Sequence, residues 1–217
     1  MRNECNRSIG AIALLAAAIA AGCATPASTS KTDYDAMATA MIKSSFHAQG
    51  QATLDRIEQD PLQHACSSAT PPPADVVARL EKHELDSIKP PPDGRYLGDW
   101  REGEKLAQNG RGMTWTDKAG AANGGNCYNC HELSKTEIAY GTLGPSLHNY
   151  GKLRGVVDPT SAAAAPVVQY TWGKLYNAKA SNACSIMPRF GEAHVLTAKQ
   201  MQDLMALLLD PKSSVNQ

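Results

Sequence analysis

One short motif brings together the residue types most able to do chemistry, Cys127-Tyr128-Asn129-Cys130-His131. Two thiols at this spacing can each add across a vinyl group of a porphyrin, and the adjacent histidine can then ligate the iron. The same cysteine spacing occurs in redox dithiols and in half of a zinc site. The sequence, however, has no second such pair and no βαβ pattern around this one. The motif therefore predicts one covalently attached haem c with His131 as an axial ligand.

The iron needs a second axial ligand unless the protein binds a gas or a peroxide. Met187 lies in a loop that contains proline and glycine, just before the last helical stretch, and this arrangement is typical of small monohaem cytochromes. Met201 and Met205 instead fit the apolar face of that helix. We therefore predict Met187 as the distal ligand. His194 and an open iron position remain the alternatives, and His148 is expected at the surface or the haem edge.

The predicted proximal ligand also needs a partner for its other ring nitrogen, which fixes the orientation of the imidazole. Pro145 follows His131 at the distance where monohaem cytochromes place a carbonyl for this purpose, although a simple Gly-Pro turn would explain the same residues. Ligation by histidine and methionine raises the reduction potential of a haem. With both axial positions filled, the iron would carry electrons and would bind no substrate.

The beginning of the chain has the features of an export signal. Arg2 and Arg7 precede an apolar run over residues 9–21, which is too short for the roughly 20 residues that span a bilayer. The run ends in Ala-Ala-Gly-Cys23, an imperfect lipoprotein box, so Cys23 is a possible lipidation site; cleavage a few residues later is the alternative. Residues 1–23 are thus a predicted signal peptide, and the mature protein is expected in the periplasm.

Two further cysteines, Cys66 and Cys184, remain in the predicted mature chain. In an oxidising compartment such a pair is more often bridged than free. We predict a disulfide between them, with two free thiols as the alternative, because the geometry that a disulfide needs is not visible in a sequence.

Composition limits the classes of protein that fit. The 217 residues correspond to one domain and a remainder at roughly 150 residues per domain. Lys and Arg number 21, as do Asp and Glu, so the net charge is zero and a nucleic-acid-binding protein is not expected. Hydrophobic residues make up 42% of the chain, which is enough for a core, but aromatic residues make up only 6%. A cofactor that fills part of the core would suit this composition.

The region before the predicted haem domain forms an extension over residues 24–93. Residues 24–32 have the composition of a flexible tether. Helical spacing of apolar and small residues predicts one helix over 33–60 and a second over 74–88, the latter between two runs of three prolines. These helices are only modestly apolar, so we expect them to pack on the haem domain or on a partner.

The predicted haem domain covers residues 94–217 and is mostly α. Its first helix is expected from Trp100 to Gly110, with Gly103 allowing the last helix of the chain to cross closely. Its last helix follows a capping box that begins at Thr197. The fold class is therefore mostly α, with a class I cytochrome c-like haem domain and an N-terminal helical extension.

Several segments together resemble SoxX, the monohaem c-type subunit family of the SoxAX cytochrome complexes of sulfur-oxidising bacteria. The resemblance covers residues 94–217, and the loop Met187-Pro-Arg-Phe-Gly191 is more specific than the haem motif. The extension is not part of the family pattern. The matching segments are Asn126-Cys-Tyr-Asn-Cys-His131, Leu143-Gly-Pro-Ser-Leu147, Asn149–Gly155, Tyr170–Asn177, Cys184–Gly191 and the end of the chain from Leu196.

The resemblance implies an electron-transfer subunit that has no catalytic residues of its own. Its expected partner is a SoxA-type cytochrome subunit, and together they would form an L-cysteine S-thiosulfotransferase. The complex would couple thiosulfate oxidatively to a cysteine of a SoxYZ-type carrier protein, and a small cytochrome c would accept the electrons.

The resemblance also suggests roles around the haem. Arg189 would meet a haem propionate or a partner's acid, or else be a solvated loop charge. Tyr170 and Trp172 would line the haem pocket or simply pack in the core. Competing hypotheses for the whole protein are a free-standing electron shuttle, a haem peroxidase or gas sensor with a vacant distal position, and a structural adaptor whose extension does the binding.

Overall fold

The computed structural model describes residues 32–217, so the predicted signal peptide and Cys23 lie outside the described residues. The described chain is mostly α-helical and has no strand beyond an isolated bridge between Gln49 and Ala52. None of its helices is long and apolar enough to cross a membrane. The helices are α1 (Tyr34–Ser45), α2 (Pro61–Ser67), α3 (Ala74–Asp86), α4 (Trp100–Gln108), α5 (Tyr150–Leu153), α6 (Ala165–Tyr176) and α7 (Ala198–Leu209), with 3₁₀ turns at Leu54–Ile57, Cys127–Asn129, Ala162–Ala164, Ala178–Ala180 and Ser214–Asn216.

The chain divides into two compact units, at Phe46 and His47. The first unit contains α1, which begins where the Asp33 carboxylate accepts a hydrogen bond from the Ala36 amide. The second unit extends from His47 to Gln217. Most of the predicted extension therefore lies in the same compact unit as residues 94–217.

The predicted helix over 33–60 is wrong in its second half. The helix ends at Ser45 because Phe46 is extended, and the chain then reverses in a tight turn between Gln49 and Ala52. Gly50 adopts a φ of 55°, and a Cβ there would lie 2.3 Å from the Trp115 carbonyl oxygen. The apolar spacing thus continued across a turn that only a glycine permits.

The second helix, α2, was not predicted. Asp60 accepts a hydrogen bond from the Gln63 amide while the Gln63 side chain accepts one from the Asp60 amide, and Pro61 occupies the first helical position. Pro61, which directly follows the predicted helix over 33–60, therefore starts a helix. The next helix, α3, agrees with its prediction and ends two residues early.

The core is centred on α7. Its residues Met201, Leu204, Met205, Leu207 and Leu209 are all at most 2% exposed, as expected for an apolar helix face that meets other helices on several sides. The capping box at Thr197 is present.

Helix α4 crosses α7 at Gly103. A Cβ at this glycine would lie 2.2 Å from the Asp203 carbonyl oxygen, so only glycine allows this distance between the helices. Where α4 begins, the Asp203 carboxylate accepts a hydrogen bond of 2.7 Å from the Asp99 amide. The predicted close crossing is therefore present, and its partner is α7.

Trp172 joins α6 to the extension. It is 2% exposed, its indole N–H donates to the Lys89 carbonyl at 2.8 Å, and its ring meets that of Tyr96 edge to face. Trp172 is thus a core residue.

Candidate haem site

The cysteine motif forms a tight turn. The amides of Cys130 and His131 both donate to the Cys127 carbonyl oxygen, at 3.1 and 2.9 Å. Asn126, just before the turn, adopts a left-handed conformation with a φ of 50°. This local geometry brings both sulfurs and the imidazole to the wall of a single cavity, and both thiols are free.

The His131 imidazole is held from one side by the segment 144–147. Its Nδ1 donates to the Pro145 carbonyl oxygen at 2.7 Å, which is the contact that the sequence suggested. Because a carbonyl can only accept, Nδ1 carries a proton, and in the neutral ring this tautomer leaves the lone pair of Nε2 for a metal. A Cβ at Gly144 would lie 2.1 Å from Cε1 of the imidazole. The glycine therefore lets the backbone pass directly against the ring.

The cavity has a volume of about 660 Å³. Cys127, Cys130, His131 and Met187 all line it. Most of its remaining wall is apolar and comes from α7 and from the loops before α5 and after α6. The apolar lining residues include Leu133, Leu147, Phe190, Leu204, Leu207 and Leu208.

Met187 reaches this cavity from a loop of irregular backbone after the turn Ala178–Ala180. The residue is partly buried, whereas Ile186 beside it is 78% exposed. Within the loop, the Met187 amide donates to the Ser185 hydroxyl at 3.2 Å. A thioether and an imidazole thus line the same space, as a six-coordinate haem iron requires.

The other methionine and histidine candidates lie elsewhere. Met201 and Met205 are buried in the core and do not line the cavity. His194 is exposed, with a φ of 53°, and is also absent from the cavity wall. His148 lies next to Leu147 and outside the lining, and its Nδ1 is buried without a hydrogen-bond partner. Tyr170 lines the cavity and remains half exposed.

Burial controls the ionisation of the first cysteine. It raises the pKa of the Cys127 thiol to about 12, and the nearby Cys130 and Glu104 act in the same direction. At neutral pH this thiol is therefore protonated and uncharged. The hydroxyl of the next residue, Tyr128, donates to the Glu104 carboxylate at 2.9 Å, and burial together with this contact raises the pKa of Tyr128.

Arg189 is largely buried and lies outside the lining of the cavity. Its side chain is only 19% exposed and contacts three carboxylates of this chain. They belong to Asp60 at 2.7 Å, Glu192 at 3.4 Å and Glu84 at 3.5 Å. The sequence could name neither Asp60 nor Glu84 as a partner.

Cys66 and Cys184 form a disulfide that joins α2 to the loop of Met187. The two residues are separated by 118 positions in the sequence, with Cα atoms 5.4 Å apart. The predicted bridge between the extension and this loop is present in the structure.

The residues around the cavity fit a covalently attached haem. Two free thiols lie on one turn, the imidazole has its Nδ1 satisfied, the thioether lines the same cavity, and the walls are apolar. The volume lies in the range of about 300–1,000 Å³ that is usual for cofactor sites. Among the described residues, no three His, Cys, Asp or Glu side chains cluster as they would around a bound metal ion.

Comparison with known proteins finds a relative that matches most of the chain. The chain is 38% identical, over 161 residues, to a protein of Aquifex aeolicus (strain VF5) named "Uncharacterized lipoprotein", and the match covers 73% of each chain. This chain belongs to the same family. No family model matches the sequence. The family assignment thus rests on similarity over most of the chain and not on one short motif.

In this member of the family, sequence reasoning missed the residues that support the predicted ligands from outside their own segments. Glu84 is only 6% exposed and accepts a hydrogen bond of 2.6 Å from the Asn177 side chain. Glu81 accepts one of 3.0 Å from the Ala183 amide. A pattern of acids on α3 offers no local signal of such remote partners, since charged residues on a helix are most often solvated.

Proposed function

We propose that the protein is an exported c-type cytochrome that carries one electron at a time. Cys127 and Cys130 would attach one haem, and His131 and Met187 would ligate its iron. The observation that carries this proposal is that all four side chains line one apolar cavity of about 660 Å³. A haem in this position would supply reversible one-electron redox chemistry between ferrous and ferric iron.

The chain's own residues would determine how this electron is held. The Pro145 carbonyl orients the His131 ring and makes it a better donor to the metal. The leucines of the wall exclude water, which disfavours the extra positive charge of the oxidised state. A thioether in place of a second imidazole acts in the same direction. We therefore infer a high reduction potential, which suits an electron acceptor.

We further propose a class I cytochrome c-like fold for residues 94–217. The crossing of α4 and α7 at Gly103, with the cysteine turn and the methionine loop beside it, supports this assignment. Export is supported by the apolar N-terminal run, and the relative's name, lipoprotein, favours lipidation of Cys23 over later cleavage. The anchored protein would then face the periplasm.

The resemblance to SoxX supports a more specific role. The protein would be the electron-transfer subunit beside a SoxA-type cytochrome, and it would take electrons released when thiosulfate is coupled to a cysteine of a SoxYZ-type carrier. A small cytochrome c would receive them. The segments that carry this proposal are the haem motif, the Gly144-Pro145 segment and the loop from Cys184 to Gly191.

The first experiment is expression of the full chain with a c-type haem maturation system. We expect haem that remains bound after denaturing electrophoresis, and its complete loss in the double variant Cys127→Ala/Cys130→Ala. The ferrous wild-type protein should not bind CO, whereas Met187→Ala should bind it stoichiometrically. Met205→Leu is the matched control, because it replaces a buried methionine outside the cavity and should leave CO binding absent. A colourless wild-type protein would contradict the proposal.

A second experiment addresses the partner. Purification of the native protein should retain a SoxA-type cytochrome, and the complex should be reduced by thiosulfate only when a SoxYZ-type carrier is present. A monomer that is reduced by other donors would instead favour a free-standing electron shuttle.

A further inference from the structure

The loop that presents Met187 is anchored on both sides of the methionine by residues far away in the sequence. Cys184, three residues before Met187, is bonded to Cys66 on α2. Arg189, two residues after it, is paired with Asp60, directly before α2, across a sequence distance of 129 residues. Both sides of the methionine are thus attached to the same short helix.

Helix α3 adds contacts to the same loop. The Glu84 carboxylate lies 3.5 Å from the Arg189 guanidinium, and the Glu81 carboxylate accepts a hydrogen bond from the Ala183 amide. Lys179 supports the loop from its other side by donating to the Ser185 carbonyl at 3.2 Å. Every one of these contacts falls within five residues of Met187 in the loop.

The charged part of this arrangement is shielded from solvent. Arg189 is 19% exposed, Glu84 8% and Asp60 31% in their side chains. A partly buried guanidinium is tolerated only when carboxylates compensate it, and removal of one partner leaves the others uncompensated. Burial opposes ionisation of Asp60, yet hydrogen bonds from the Gln63 amide and from Arg189 outweigh it and lower its pKa.

Within the loop there are turn hydrogen bonds, such as that from the Ser185 amide to the Asn182 carbonyl, but no regular secondary structure. The loop contains proline, forms no helix, and exposes most of Ile186 next to the ligand. Methionine is flexible, with three rotatable bonds, and its neutral thioether is a weak ligand. A site built on such a residue depends on neighbouring groups that fix its backbone.

We propose that residues 60–84 form a clamp that positions Met187, with Arg189 as the positioning residue and the Cys66–Cys184 disulfide as the second anchor. This inference rests on the proposed function, in which Met187 ligates the haem iron. It gives the extension a task that the resemblance to SoxX leaves open. The extension controls how firmly the distal position is closed, and the haem attachment itself does not depend on it.

The test compares Arg189→Gln, Arg189→Lys and the control Arg79→Gln in the full-length holoprotein. Arg79 pairs with Asp75 on α3, and both side chains are 70% exposed, so its loss should change nothing. Arg189→Gln should keep full haem content but bind CO in the ferrous state, with at least a several-fold larger CO-bound fraction than the wild type, and its reduction potential should fall. Arg189→Lys keeps the positive charge but not the planar guanidinium group, so its CO-bound fraction should lie between those of the wild type and Arg189→Gln.

The outcomes separate the two proposals. If Arg189→Gln loses stability yet excludes CO as the wild type does, Arg189 is merely structural and the clamp is overturned. If the protein carries no haem, or if Met187→Ala fails to admit CO, the proposed ligation is wrong. Amide hydrogen exchange of residues 183–192 then tests whether the clamp holds the loop. Exchange that is several-fold faster in Arg189→Gln than in Arg79→Gln supports the clamp, and equal rates overturn it.

Discussion

The two sides of the cavity are constructed in different ways. On the side of His131, the contacts that orient the imidazole are local, because its Nδ1 donates to Pro145 only 14 residues away and the turn closes on the Cys127 carbonyl. On the side of Met187, the nearby Lys179 also holds the loop, but the disulfide and the Glu81 contact come from α2 and α3, more than 100 residues earlier in the chain. In the proposed haem site, a histidine next to the two attaching cysteines would need little further support, whereas a methionine on a loop would need the rest of the fold.

The largest expected loss of stability, on the side of Met187, comes from removing the disulfide. The double variant Cys66→Ser/Cys184→Ser should lower the free energy of unfolding by about 3–5 kcal/mol, because the bridge closes a long loop of the unfolded chain. Haem attachment at Cys127 and Cys130 should be unaffected. Denaturant unfolding of the two proteins measures the difference.

The control for this prediction is the wild-type protein under reducing conditions. Its stability should approach that of the double variant once the bridge is opened. If the variant unfolds at the same denaturant concentration as the oxidised wild type, the methionine side does not depend on its remote cross-link.

A smaller effect is expected on the histidine side. Gly144→Ala should lower the free energy of unfolding by about 1–3 kcal/mol, because the added methyl group would overlap the His131 ring and force the segment away from it. The same shift should weaken the bond from Nδ1 to the Pro145 carbonyl. Thr142→Ala, at an exposed position in the same segment, is the matched control and should be neutral. An unchanged stability and haem spectrum in Gly144→Ala would show that the backbone does not constrain the imidazole.

The same division explains what the sequence could predict. Pro145 and the capping box at Thr197 belong to local patterns that depend on residues a few positions apart, and their predicted contacts are present in the structure. The cysteine motif is equally local, and the haem attachment that it indicates stays a prediction. Gly103 could be assigned to a close crossing for a related reason, since glycine within a helix needs a packing explanation.

The missed features depend on distant residues or on ambiguous local patterns. No local pattern connects Arg189 with Asp60 or Glu84, because their meeting is decided by how α2 and α3 pack. The start of α2 did have a local signal, a proline after Asp60 with Gln63 two residues later, but a proline also ends helices. The length of α1 was overestimated because apolar spacing alone does not reveal the turn at Gly50.

The smallest change in stability is expected when the pH is lowered. Since the pKa of Asp60 is lowered in the folded protein, this group stabilises the fold fully above its ordinary pKa of 3.8, and the contribution disappears as the pH falls through the lowered value. Arg189 and Lys179 favour its ionised form, while Glu84 and Glu192 share the same guanidinium. We compare the free energies of unfolding of wild type and Asp60→Asn from pH 7 to pH 3. Wild type should be more stable by about 1 kcal/mol down to about pH 4, and this difference should shrink at lower pH. A difference that persists unchanged at pH 3 would mean that the carboxylate charge is not what holds the methionine loop, and only the disulfide would then distinguish this side of the cavity from the other.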